Sequence, residues 1–229
     1  MKFFKVVNEI RAETEIDTNK SNYSLTLNKE NDYRNLLNFV THSSKVHNLP
    51  LDVYFSINNN LARHGNKYLE SFPKSRSGIF EIIDFTKVAH HKNMFIKEST
   101  VIEIVKTLDD IGISEFMEGY YLWEYIYEKV RDEKHRDKPK RSESLFLFEN
   151  LNDCEYYITT HKGGGEIDIV EVLENRFLFK ADMNLLDLIP NYFTNNQAEE
   201  VANRYWSGMI SDKPIMEILF QGKCLIKPI

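Results

Sequence analysis

With 229 residues, 42% of them hydrophobic and 13% aromatic, the chain has apolar material for one large folded domain or two small ones, which excludes an intrinsically disordered protein. A net charge of −6 argues against bulk electrostatic binding of nucleic acid and leaves only a local basic patch for that role. Cys154 and Cys224 are read as small buried thiols of a reducing cytosol, and the apolar run at Phe3-Phe4 is too short for a signal peptide, so the expectation is a cytoplasmic protein without membrane contact.

Residues 2–7 are short and β-prone and predict a strand, followed by a polar loop over residues 11–22. Asn31 or Asp32 caps a helix that carries Leu36, Leu37 and Val40 at helical spacing. Leu51, Val53, Phe55 and Ile57 alternate with other residues and predict a half-buried strand, punctuated by Asn58-Asn-Asn60 and followed by a short helix over residues 61–72. Residues 78–85 are apolar and fit either a strand or a helix. Thr100 with Glu103 reads as a capping box at a helix start, closed by Gly112. Ser114 opens a longer helix with Phe116, Met117, Tyr120, Trp123, Ile126, Tyr127 and Val130 recurring at three and four residues.

Residues 132–140 form a charged run broken only by Pro139. A strand over 144–148 and a helix over 152–158 follow, then Gly163-Gly-Gly165 as a flexible connection. Residues 167–173 and 177–179 predict two strands joined through a turn at Asn175. Asn195 or Asn196 caps a helix that runs through Trp206. At the end, residues 215–220 and 224–226 flank Gln221-Gly222-Lys223 and predict a β-hairpin with glycine at its turn.

Glu217 stands inside the first of those apolar runs. Glutamate is depleted in strands and is rarely buried without a partner or a task, and that run contains no cation. An edge strand with Glu217 in solvent is the bland reading. Alternation puts Glu217 on one face with Ile215 and Leu219, and Met216, Ile218 and Phe220 on the other. Elsewhere, Arg141-Ser-Glu-Ser144 leads into an apolar strand, and an arginine there has the planar fork that matches phosphate oxygens. Lys134, His135, Arg136, Lys138, Lys140 and Arg141 crowd one stretch of an acidic chain, as a solvated loop or as a phosphate-facing rim. Gly163-Gly-Gly165 lacks dinucleotide-fingerprint spacing, the histidines and cysteines lack zinc spacing, and neither a nucleophile elbow nor a P-loop occurs, so no metal is expected.

The closing stretch resembles the end of the ADP-ribosyltransferase catalytic fold, where a glutamate stands in a Glu-Ile/Val-Leu setting before a glycine. Residues from about Tyr120 onward resemble an uncharacterised bacterial family, domain of unknown function 2441, grouped with that fold. The matching pieces are Leu122-Trp-Glu-Tyr-Ile-Tyr-Glu-Lys-Val-Arg131, Pro139-Lys-Arg-Ser-Glu-Ser-Leu-Phe-Leu-Phe148, Ala202-Asn-Arg-Tyr-Trp-Ser-Gly208 and Ile215-Met-Glu-Ile-Leu219. The resemblance implies a single α+β domain over residues 1–229, with two small, mostly antiparallel sheets around an NAD cleft and flanking helices. Residues 18–98 would be an insertion or accessory region, with no recognised counterpart from about Thr18 to His91.

The same resemblance implies mono-ADP-ribosyl transfer from NAD to a macromolecular target, nucleic acid or protein, with NAD as co-substrate. Glu217 would be the catalytic residue. Arg141, Ser142, Ser144, Lys5 and Trp206 would hold NAD, and Arg136, Lys138 and Lys140 would meet the target. The implied setting is a toxin or anti-phage defence effector, with an antitoxin as a further partner. NAD hydrolysis and a non-catalytic module on the same fold stay open. Transferases of this fold usually carry Arg or His on the first strand, and here that strand offers only Lys5, with Asn8 and Arg11 beyond it.

Overall fold

The computed structural model describes residues 2–9, 12–21, 30–65, 67, 79–82, 94–112, 119–187 and 193–229, and the fold is mixed α+β. In chain order its elements are β1 (Lys2–Val7), β2 (Thr14–Asp17), α1 (Glu30–His47), α2 (Leu51–His64), β3 (Ile79–Ile82), β4 (Met94–Lys97), α3 (Glu98–Ile111), α4 (Gly119–Lys134), β5 (Leu145–Phe148), α5 (Leu151–Tyr157), β6 (Glu166–Asp182), α6 (Asn184–Asp187), α7 (Asn195–Trp206) and β7 (Met216–Pro228). Two compact units divide the chain: Met1–Lys29 with Glu124–Ile189 and Glu199–Ile229, and Glu30–Trp123 with Pro190–Ala198. Among the described residues no helix is long and apolar enough to cross a membrane.

In the first unit five strands lie in the order β2-β7-β5-β1-β6, all antiparallel, and β6 pairs again with β7, so the sheet closes into a small barrel. Alternation along the strands sends one set of side chains inward. Phe3, Ile16, Leu145, Leu147, Val170, Ile218, Phe220, Cys224 and Ile226 fill the interior. Each fully buried aliphatic or aromatic chain of this kind contributes about 1.5–3 kcal/mol of transfer free energy.

Two turns expected from the sequence are absent. Residues 216–228 form one continuous strand, not a hairpin, and residues 166–182 form another, with no turn at Asn175. The two run side by side from Asp168 opposite Pro228 to Asp182 opposite Met216, and pair Asn175 with Gly222. Irregularities between Val172 and Glu174 and between Asn175 and Phe177 absorb the polar segment as bulges. Gly222 answers to this approach and not to a turn. Its φ is 149°, and a Cβ there would lie 2.0 Å from the Glu174 carbonyl oxygen. The expected loop over residues 11–22 contains β2, whose Ile16 pairs with Cys224 and enters the barrel.

In the second unit Leu36, Leu37 and Val40 are buried on α1 as their spacing predicts, although the helix already begins at Glu30. Residues 51–64 are helical, which overturns the strand expected over 51–57. Tyr54 decides the difference: it is fully buried between Val53 and Phe55, so burial follows 51, 54, 58 and 61, together with 53 and 57. Asn58-Asn-Asn60 therefore lies within the helix, where Asn60 Nδ2 donates to the Ser56 carbonyl at 2.8 Å. The helix expected over 61–72 is the end of α2 as far as His64, and most of the remainder falls outside the described residues. Residues 79–82 resolve the open choice at 78–85 as a strand, β3, paired with β4.

Helix α3 starts at Glu98 with Lys97 before it and no side-chain cap, so the Thr100 capping box does not form; Gly112 closes the helix in the left-handed region at φ 77°. The expected start of the next helix at Ser114, with Phe116 and Met117, lies outside the described residues. The box that does form is at α7, where Thr194, not Asn195 or Asn196, occupies the cap. Its Oγ1 receives the Gln197 backbone N–H, and Gln197 Oε1 receives that of Thr194.

Candidate active site

The face of the barrel turned away from its interior carries the polar groups. Register places Glu217 of β7 between Phe148 of β5 and Ala181 of β6. A 3-10 turn at Arg141–Glu143 delivers Arg141 just before β5, while α7 supplies Tyr205 and α4 supplies Glu124 and Tyr127. Arg141 Nη1 donates to Glu217 Oε1 at 2.6 Å and to Tyr205 Oη at 2.5 Å, and Tyr205 Oη donates to Glu217 Oε1 at 2.6 Å. Arg141 Nε spans both oxygens of Glu124 at 3.0 and 3.2 Å. Its guanidinium lies 4.8 Å from the Phe146 ring centroid and 5.3 Å from that of Tyr205. The cation absent from the glutamate's own run thus arrives from 76 residues upstream.

Glu217 is 4% exposed and Arg141 8%, so the pair is largely withdrawn from water. Burial works against the charged form of Arg141, but the carboxylates of Glu124 and Glu217 outweigh it and hold the guanidinium well above its usual range. Burial raises Tyr205 far above an ordinary phenol, opposed by Arg141 and reinforced by Glu217, so it stays protonated as a donor. Oε1 of Glu217 is saturated by two donors, whereas Oε2 accepts no hydrogen bond from any described residue. Tyr127 complements it. Its hydroxyl is buried without a partner among the described residues, and the charges of Arg141, Glu124 and Glu217 act on it.

A second cluster adjoins the first. Helix α5 widens into a π-turn at Ile158–Lys162, a distortion that recurs at functional sites. That turn carries His161, whose Nε2 lies 3.2 Å from Asp187 Oδ2 on α6. Tyr157 stacks on His161 with centroids 5.6 Å apart, and Tyr156 Oη reaches Asp187 Oδ2 at 3.4 Å. Burial raises the Asp187 carboxyl, His161 opposes this, and the charge of Glu217 adds to it. Tyr157 is raised by burial and then by Glu217, with Arg141 opposing. Asp182, fully buried, ties the two clusters to one frame: its carboxylate accepts from the backbone N–H groups of Asn184, Ser211 and Ile215, fixing the start of α6 and the approach to β7.

The other residues singled out by sequence are spread more widely. Ser144 Oγ donates to the Lys140 carbonyl at 2.6 Å and receives Gln221 Nε2 at 3.2 Å, while Ser142 is half-buried on the 3-10 turn. Trp206 is fully buried, stacks on Phe179 and donates to the Tyr127 carbonyl at 2.8 Å. Lys5 sits opposite Asp168 on β1, and its charge reaches the Cys224 thiol. In the basic stretch Arg136 pairs with Asp132, Lys138 with Asp137 and Lys140 with Glu143, and Arg131 donates to the Lys138 carbonyl at 3.2 Å. Both cysteines are free and buried.

Sequence reasoning did not single out Glu124, Tyr127, His161, Asp187 or Tyr205 as site residues. The available signal was slight: Glu124 and Tyr127 lie one turn apart on a helix whose apolar face is otherwise continuous. Among the described residues no group of three His, Cys, Asp or Glu side chains is arranged to hold a metal.

No curated protein matches the chain. A family model described as protein of unknown function (DUF2441) matches residues 54–228, which begins within α2, well before Tyr120, and takes in β3 and β4 along with the whole of the Glu217 site. This chain belongs to the DUF2441 family.

Proposed function

We propose that the chain is a mono-ADP-ribosyltransferase, with an ADP-ribosyltransferase-like site built on the outer face of its barrel, using NAD as substrate. The observation that carries this reading is the state of Glu217. One oxygen is locked by Arg141 and Tyr205, and among the described residues the other accepts nothing and the Tyr127 hydroxyl, acted on by the same charges, has no partner. A sugar hydroxyl satisfies both, donating to Oε2 and accepting from Tyr127. In the reaction the bond from ribose C1 to the nicotinamide nitrogen breaks, and its electron pair leaves with nicotinamide. The positive charge that develops on the ribose is offset by Glu217, held in place by Arg141. The acceptor then bonds to C1 and loses its proton.

Glu217→Gln tests this. The amide keeps the size and can still accept from Arg141 and Tyr205, but it lacks the charge. Transfer of labelled ADP-ribose into a cell lysate should fall by roughly two or three orders of magnitude, by analogy with loss of one oxyanion-hole donor. Stability should drop by only about 1–2 kcal/mol, because Glu124 still balances Arg141 and each bond merely loses its charge assistance. A Glu217→Gln protein with full transfer would sink the reading. Label released by protease or by nuclease then names the acceptor class.

A further inference from the structure

The cluster on the π-turn has a role that Glu217 does not fill. A transfer reaction ends with a proton leaving the acceptor, and the Glu217 carboxylate is committed to Arg141 and Tyr205 through Oε1. His161 is differently placed. Its ring is held on two sides by Tyr156 and Tyr157, with centroids 6.0 and 5.6 Å away, and from α6 by Asp187. Nε2 faces Asp187 Oδ2 at 3.2 Å, and Nδ1 has no partner among the described residues. With Asp187 ionised, the proton on the ring sits at Nε2, which leaves the Nδ1 lone pair free to accept another. At 29% exposure the His161 side chain is reachable by a large acceptor, whereas Glu217 at 5% is not. The two clusters meet at Phe148, which stands opposite Glu217 in the strand register and whose ring centroid lies 5.5 Å from that of Tyr157.

We propose that His161 is the base that takes the acceptor's proton during transfer, with Asp187 as the residue that positions its ring. The assignment rests on the transferase reading above. The step balances as follows: the acceptor's nucleophilic atom bonds to ribose C1, nicotinamide departs with the electron pair of the broken bond, and the acceptor's proton passes to Nδ1. Asp187 stabilises the imidazolium so formed. The charged and titratable groups around the ring are Tyr156 and Tyr157 from α5 and Asp187 from α6, with Glu217 and Arg141 acting on Tyr157.

The experiment measures transfer of labelled ADP-ribose to lysate acceptors across pH for the wild type, His161→Ala and Asp187→Asn, with and without added imidazole. General-base catalysis of this kind is worth about 10²–10⁴ in rate, so His161→Ala should lose at least about a hundredfold, and the fall in wild-type rate toward acid pH should flatten. Imidazole should restore His161→Ala by about tenfold or more and leave Glu217→Gln unrescued. Asp187→Asn should lower kcat with little change in KM, since the ring loses the carboxylate that orients it. The melting temperature of the alanine variant, measured alongside, separates loss of the base from misfolding, and Asp187→Asn gives an independent arm. A wild-type protein that transfers no label removes the transferase reading, and this assignment with it. A wild-type protein that transfers while His161→Ala matches it, or is impaired with an unchanged acid limb and no imidazole rescue, overturns the assignment alone.

Discussion

The two faces of the barrel wall are built from alternate residues of the same strands, yet they obey opposite rules. Inward, Leu145, Leu147, Ile218 and Phe220 are apolar without exception. Outward, the same stretches of β5 and β7 present Phe146, Phe148 and Glu217, with Ser144 and Gln221 beside them, and Arg141, Tyr205 and Glu124 close over Glu217. The inner face gains stability from transfer out of water, in proportion to area and without direction. The outer face withdraws two charges from water and is tolerable only because each finds a partner at hydrogen-bond distance. Where β5 and β7 turn apolar side chains inward, their outer face carries this costly arrangement, including the Glu217 oxygen that accepts no hydrogen bond from any described residue.

The comparison breaks most visibly at Arg141. Arg141→Ala should leave Glu217 buried without its cation and cost about 3–5 kcal/mol in chemical denaturation, as much as a large-to-small truncation of the inner face. A loss below about 1 kcal/mol would mean that the outer network relaxes into water and holds nothing in place.

Cys224 sharpens the contrast from the other side. It lies in the barrel interior, and burial first, with slight relief from Lys5, pushes its thiol up to about 11, while burial and then Asp153 push Cys154 to about 12. A shift of two units means about a hundredfold less thiolate at a given pH, so alkylation of native protein at pH 8 should be at least about a hundredfold slower than after unfolding. These thiols are protonated in the fold beyond the pH at which the unfolded chain releases them. Their contribution to stability is therefore complete below about pH 9 and is lost as pH rises through 11 to 12. Equal reactivity of folded and unfolded thiols would show the interior open to water.

The smallest effect should come from the basic stretch. Arg136 is 76% exposed at its side chain and among the described residues pairs only with Asp132, so Arg136→Ala should change stability by less than about 0.5 kcal/mol. If Arg136 meets a nucleic-acid acceptor, the same variant weakens transfer and flattens its salt dependence; unchanged transfer across ionic strengths would leave it as a solvated arginine.

The amino-acid sequence by itself determined the local elements whose signals are short-range. The strands β1 and β5, the apolar face of α1, the Gly112 stop and the oddity of Glu217 in an apolar run were all legible from spacing and residue type. Where it misled, two local patterns competed. Alternation over residues 51–57 suited a strand until Tyr54 proved buried as well, and glycine at 222 suited a turn as readily as a close approach to β6. Only the tertiary structure decided the rest. Arg141, Tyr205, Glu124 and Glu217 lie up to 93 residues apart, summing the separations of 17 between Glu124 and Arg141 and 76 between Arg141 and Glu217, and no period or motif links them. They meet because strand register and helix packing bring them to one face, and the stability of that meeting depends on burial, which no single stretch of sequence contains.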